Sequence, residues 1–191
     1  MNQTLNENGY LPSSVRHLML RYSRQTLQAI TAGTEPPSCP KELTEPPYGT
    51  EKRGIFVTLR RKGDLRGCIG HIEARVPLSR GIPEVTTKSA LEDYRFPPVT
   101  ADEVSEISIE ISILTPMKPV SGYDEIVLGR DGILLKRGFQ SAVFLPQVAV
   151  EQGWTLEQTL TALSRKAGLD SQAWRSPDVN FETFQAVHFS E

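Results

Sequence analysis

The stretch Arg66-Gly67-Cys68-Ile69-Gly70 brings reactive residue types together in a way no other part of this sequence does. Two glycines inside a strand pattern weaken it entropically and mark a bulge or the close approach of another backbone or a ligand. On an unbroken strand Arg66 and Cys68 lie two apart and point to the same face, so the guanidinium favours the thiolate and lowers the cysteine pKa. Such a cysteine serves as a nucleophile or a thiolate ligand. The plainer alternative is that Cys68 is a small buried hydrophobe, the common fate of a free cysteine. His71 is three residues on and falls on the opposite face, which disfavours a local Cys-His dyad unless a glycine bulge shifts the register. His17, His71 and His188 lie on three separate elements without paired metal-ligand spacing, so no zinc site is expected. No P-loop or Gly-x-Gly-x-x-Gly element occurs, and no cofactor is called for.

Three further groups carry charge in a pattern. Lys52, Arg53, Arg60, Arg61, Lys62 and Arg66 stand against Asp64, giving the first predicted hairpin a local charge near +5. This is either a phosphate- or RNA-facing patch or a set of solvated hairpin residues, and no interleaved aromatic set beyond Phe56 supports stacking on bases. Glu110 shares its strand face with Ser108 and Ser112, opposite four isoleucines: a solvated outer face, or a functional one if a second element covers it. Asp93 and Arg95 flank Tyr94 ahead of Pro97-Pro98, as an ion pair fixing a helix exit or as part of a cleft. Trp154 and Trp174 bracket the last helix and read as core anchors.

The elements that must position these residues come from 191 residues with 21 basic and 23 acidic side chains and a net charge of −2. The composition is 38% apolar, with 14 glycines and 14 prolines, which is globular and excludes collagen, coiled coil and full disorder. No apolar run exceeds the four residues Ala142 to Leu145, so no membrane span is expected. The first ten residues hold no Lys or Arg and no hydrophobic core, so no secretory signal is expected. With only Cys39 and Cys68, a reducing cytoplasm is the expected location. Bulk nucleic-acid binding is not expected at this net charge.

Pro12 to Gly33 has helical spacing, with Ser13 or Ser14 as N-cap and Gly33 as stop. Five prolines between Thr34 and Lys52 predict a connector without regular structure, which either wraps the domain as an ordered excursion or hangs free. Gly54 to Arg61 and Leu65 to Ile72 read as a hairpin, and a helix is expected to start around Pro83 as its N1 residue. Thr100-Ala-Asp-Glu103 is a capping box before the strand Glu106 to Thr115, whose isoleucines 107, 109, 111 and 113 alternate inward. Ile133 to Arg137 and Gln140 to Leu145 form a second pair of strands. Thr155-Leu-Glu-Gln158 caps a helix that ends at Gly168, and Phe181 to Phe189 reads as one final strand. Roughly six strands and three main helices in mixed order predict an α+β fold, with a mainly antiparallel sheet flanked by helices.

Leu65-Arg-Gly-Cys-Ile-Gly70 after Gly54-Ile-Phe-Val-Thr-Leu59, then Asp93-Tyr-Arg-Phe-Pro-Pro98, Ile109-Glu-Ile-Ser-Ile-Leu114, Leu145-Pro-Gln-Val148, Glu151-Gln-Gly-Trp154 and Arg165-Lys-Ala-Gly-Leu169 resemble the successive blocks of the AMMECR domain family. The resemblance implies a single AMMECR domain of two lobes over residues 1–191. The smaller α/β lobe would come from the middle of the chain, and the connector 34–52 lies outside the match. It implies no settled activity. It points to a cleft near the Leu-Arg-Gly-Cys-Ile-Gly motif that binds a small ligand or substrate. There Cys68 would be nucleophile or thiolate ligand, Arg66 would stabilise negative charge, Glu110 or Asp93 would handle protons, and Gly67, Gly70 and Arg95 would contact the ligand. The family's frequent association with Memo-like and radical S-adenosylmethionine proteins implies the alternative of a noncatalytic scaffold for those partners. Two positions depart from the pattern: Asp131 stands where histidine is frequent, and Ser164 where cysteine often precedes the Arg-Lys-Ala-Gly stretch.

Overall fold

In the computed structural model, which describes residues 11–46 and 48–191, the isoleucine alternation forms a strand whose inward side chains are buried. The first ten residues, which bear on the expected lack of a secretory signal, and Pro47 of the connector lie outside the described residues. In chain order the regular elements are α1 (Ser13–Thr31), α2 (Lys41–Thr44), β1 (Ile55–Arg61), β2 (Asp64–His71), α3 (Leu78–Leu91), β3 (Ile107–Leu114), β4 (Lys118–Val120), β5 (Gly132–Arg137), β6 (Gln140–Phe144), α4 (Pro146–Glu151), α5 (Leu156–Lys166), β7 (Asn180–Phe184) and β8 (Ala186–Ser190). Helices and two four-stranded sheets make an α+β fold. The chain divides into two compact units, one running up to Leu114 and including Val187–Glu191, the other Thr115–Ala186.

The first unit is built on a sheet of order β2-β1-β3-β8. Ile55, Val57 and Leu59 of β1 and the four isoleucines of β3 pack on Met19, Leu20 and Leu27 of α1 and Leu78, Ile82 and Val85 of α3. The opposite face of the same strands is polar, as a period of two requires. In the second unit the sheet order is β4-β7-β5-β6. Ile133, Leu135 and Phe181 pack there on Leu160 and Leu163 of α5 and on Trp174, which stacks edge-on with Tyr123.

Several expectations need correction. α1 starts at Ser13 with Pro12 in the cap position and no side-chain cap, because the Pro12 carbonyl accepts from the Val15 and Arg16 amides. α3 begins at Leu78 and carries Pro83 in its interior rather than at its start. An interior proline costs about 3 kcal/mol. Full burial of Leu78 and Ile82 offsets this by placing a further turn on the core. The expected final strand is two, β7 and β8, which pair into different sheets. They part at Gln185, whose amide donates to Thr115 Oγ1 and whose carbonyl accepts from the Thr115 amide, each at 2.8 Å. The short β4 and the proline-started α4 carry no strong sequence pattern and were not expected.

The connector is packed chain rather than structureless. α2 forms one turn after Pro40, Leu43 is fully buried, and Tyr48 is buried in the same core as α1 and α3. Leu43→Ala should therefore cost about 2–5 kcal/mol of stability, the range for emptying a core leucine site. Urea unfolding of the two proteins at one pH measures this, and a difference under about 0.5 kcal/mol would mean that the connector does not contribute to the core.

Candidate functional site

A bulge decides what surrounds Cys68. β1 and β2 pair Thr58↔Cys68 and Leu59↔Gly67, but the next pair is Arg60↔Leu65, which leaves Arg66 as the extra residue. Bulges re-aim side chains, and Arg66 turns to Glu103, with Nε and Nη2 each donating at 2.9 Å to a different carboxylate oxygen. Its Nη1 donates to the Pro97 carbonyl at 2.8 Å. Arg66 is thus held in the 3₁₀ segment Ala101–Glu106 and its lead-in, and the expected pairing of its guanidinium with the thiol does not form. Glu103 also accepts from Arg61 and from the Thr100 amide; the Arg66 hydrogen bonds first, then the Thr100 amide, pull its carboxyl down to about 2.

On the polar face of the first sheet, register places Cys68, Thr58 and Glu110 in one cross-strand row. At about 4.8 Å per strand the row spans roughly 10 Å. Thr58 Oγ1 donates to Cys68 Sγ at 3.2 Å. Glu110 Oε1 accepts from Arg60 Nε at 2.7 Å, and its other oxygen takes no protein donor among the described residues. In the next row Ser112 Oγ lies 3.2 Å from His188 Nδ1. Cys68 is half-buried. Burial pushes its thiol up, and the downward pull of the Thr58 hydroxyl, Arg95 and Arg60 does not reverse this. The direction is opposite to that expected of a guanidinium-stabilised thiolate.

β2 is an edge strand, and its outward groups at Cys68 are satisfied by side chains. The Cys68 amide donates to Asp93 Oδ2 at 2.8 Å, and Arg95 Nη2 donates to the Cys68 carbonyl at 3.2 Å. Arg95 in turn pairs with Asp93 through Nε at 2.9 Å and Nη2 at 2.6 Å. Asp93 is 4% exposed, and the Arg95 hydrogen bonds first, then the Cys68 amide, draw its carboxyl down to about 2.

Both motif glycines are accounted for by the protein's own atoms. A Cβ on Gly67 would lie 2.1 Å from the Ser89 carbonyl oxygen, and one on Gly70 would lie 2.2 Å from the Phe56 ring. The close approach expected at this strand is α3 on one face and an aromatic ring on the other. His71 meets Glu84 of α3 at 3.1 Å, on the face away from Cys68.

The hairpin's cations are largely neutralised: Arg60 by Glu110, Arg61 by Glu103 and Glu106, Lys62 by Glu106, and Arg53 by Glu51. In the second unit Asp131 is buried, ion-paired to Arg130 and capped by the Val127 amide. Ser164 is fully buried, with a hydroxyl that finds no partner among the described residues. Among the described residues no cluster of three or more His, Cys, Asp or Glu is placed to hold a metal ion, and no helix is long and apolar enough to cross a membrane.

Sequence reasoning missed Thr58 and Ser89, and it placed Arg60 in a basic patch and Glu103 in a capping box without pairing either with Glu110 or Arg66. Thr58 follows from the hairpin register once the bulge is placed, and Arg60 and Glu103 follow from it in turn. Ser89 reaches β2 only through tertiary packing and has no local signal.

An α+β protein with this strand-edge motif belongs to a class that comparison with known proteins defines. Residues 20–189 match the model of the AMMECR1 family. A protein of Methanothermobacter thermautotrophicus is 36% identical over 179 residues, covering 91% of this chain and 92% of its own length. One from Methanocaldococcus jannaschii is 39% identical over 182 residues, covering 90% and 88%. The crystal structure of an uncharacterized protein from Pyrococcus horikoshii superimposes with a TM-score of 0.83 at 35% identity, covering 91% of this chain and 89% of that one. The chain belongs to the AMMECR1 family.

The Asp93 clasp has a pH signature. Its carboxyl is lowered from 3.8 to about 2, so its contribution is fully present above the unfolded value and is lost as pH falls from about 4 toward 2. Asp93→Asn should be less stable than wild type at pH 7 by on the order of 2 kcal/mol. That gap should narrow below pH 4 and close near pH 2 in parallel unfolding curves; a gap independent of pH would assign the loss to packing instead.

Proposed function

We propose that this AMMECR1-family protein binds a small polar ligand on the Cys68-Thr58-Glu110 face of its first sheet. The observation that carries this is the row itself: a half-buried thiol, a hydroxyl bonded to it, and a carboxylate with one oxygen free of protein donors among the described residues. The Glu110 oxygen without a protein donor, beside buried Ser112 and half-buried Cys68, is a group that a ligand can satisfy. Cys68 acts there as a hydrogen-bonding thiol, Glu110 accepts a ligand hydrogen or proton, and Arg60 orients Glu110. Asp93 and Arg95 hold the strand, and Arg66 holds the segment leading into β3. Gly67 and Gly70 admit α3 and Phe56.

A library of amino acids, organic acids, sugar phosphates and nucleotides screened by thermal shift tests this. At least one compound should raise the Tm of the wild type, and the rise should fall in Glu110→Gln and Thr58→Val. No shift with any compound, or shifts unchanged in both variants, would remove the reading.

A second reading, a noncatalytic scaffold for Memo-like or radical S-adenosylmethionine proteins, is favoured by the outer side of the segment that clasps β2. Tyr94 is 94% exposed there, Leu91 and Leu65 are 38% and 36% exposed, and Pro97 and Pro98 are also exposed. Tyrosine and arginine at such a surface are the residue types that dominate interface energies. Tagged wild type should co-purify with one of these two partner classes, and Tyr94→Ala should weaken capture about tenfold or more. Failure with both at low and moderate salt excludes the scaffold. The neutralised hairpin gives an RNA-binding role little support.

A further inference from the structure

Ser89 touches β2 on both sides of Cys68. Its carbonyl oxygen fills the space left by the absent Gly67 side chain, so close that a Cβ there would stand 2.1 Å away. Its hydroxyl accepts from the Ile69 amide at 2.9 Å and donates to the Val57 carbonyl at 2.8 Å. Both roles of the hydroxyl are therefore used, in a site 1% exposed to solvent. Positions 67 and 69 face α3, and position 68 faces the opposite side with Thr58. A residue that fixes the backbone at 67 and 69 fixes how far the sulfur at 68 stands out from the sheet.

We propose that Ser89 is a positioning residue for Cys68: through Gly67, Ile69 and Val57 it sets the separation of the sulfur from Thr58 and from solvent, and with it the thiol's reactivity. The inference rests on the reading of the Cys68 face as the ligand site, and it adds a residue to that site from the helix behind the sheet. The Asp93 clasp holds the Cys68 amide from the strand's outer edge, whereas Ser89 works from beneath, so the two are separable.

The test is alkylation of Cys68 by iodoacetamide as a function of pH in the full chain carrying Cys39→Ser, with and without Ser89→Ala. Loss of the hydroxyl should let the strand relax, move the midpoint of the rate profile by about half a pH unit or more, and change the rate at pH 8 about threefold or more. Ser89→Thr, which keeps the hydroxyl, should restore the wild-type profile. A Ser89→Ala profile that superimposes on wild type, even with a lowered Tm, overturns the proposal, because a merely structural serine would lower Tm alone. Should Ser89→Ala not fold, Ser89→Cys keeps the volume with a weak hydrogen-bonding group. The Cys68 13Cβ titration in that variant should then be displaced from wild type, and coincident curves overturn the proposal equally. Neither measurement uses a ligand, so a failed ligand screen removes the reading above without touching Ser89, and an unmoved profile removes Ser89 without touching that reading.

Discussion

An edge strand must satisfy a row of outward amides and carbonyls, and β2 does so with side chains instead of another strand. The hydrogen bond from the Cys68 amide to buried Asp93 is the contact on which the rest of the site depends. It draws the segment after α3 back along the strand, brings Arg95 onto the Cys68 carbonyl, and leads the chain to Pro97 and Pro98, where Arg66 holds it. Glu103 then closes the same segment from its other end by accepting from Arg66 and Arg61. A glycine at 67 is required because α3 comes down directly on the strand, leaving no room for a Cβ. The motif is therefore first a device for sealing a sheet edge, and Cys68 sits inside that constraint.

The charges of the first unit follow the same logic. Cations that look like a basic patch in sequence are distributed over Glu103, Glu106 and Glu110, which arrive on β3 and its lead-in, so the hairpin presents ion pairs rather than free charge. The thiol is left between two guanidiniums already engaged by carboxylates, Arg60 with Glu110 and Arg95 with Asp93. Their pull on the sulfur does not overcome the cost of burying a thiolate.

Much of the fold was legible because its signals are local. The isoleucine alternation of β3, the Thr100 and Thr155 capping boxes and the first hairpin, whose second strand begins one residue earlier than Leu65, all appear where their spacing places them. What failed depended on distance or on broken periodicity. The face of Arg66 was misjudged because the i, i+2 rule assumes an unbroken ladder, and the chain inserts a bulge at that residue. α3 runs through Pro83 because core burial outweighs one lost hydrogen bond, which local propensity cannot register. The family blocks point to Cys68, Asp93, Arg95 and Glu110 as candidates, whereas the contacts that Thr58 and Ser89 make with this strand required the register and the packing.

The division of the chain at Gln185 bears on how the protein is made. Residues 115–186 are interposed between β3 and the strand β8 that lies beside it, so the first sheet is discontinuous in sequence. During synthesis β3 keeps an open flank until residues 186–190 leave the ribosome, and Arg24 waits equally long for Glu191. The second unit is contiguous in sequence, yet its sheet order places β7, residues 180–184, between β4 and β5. Vectorial folding therefore holds both sheets incomplete until the last two strands emerge, with β3 of the sheet that bears Cys68 open on one flank to the end.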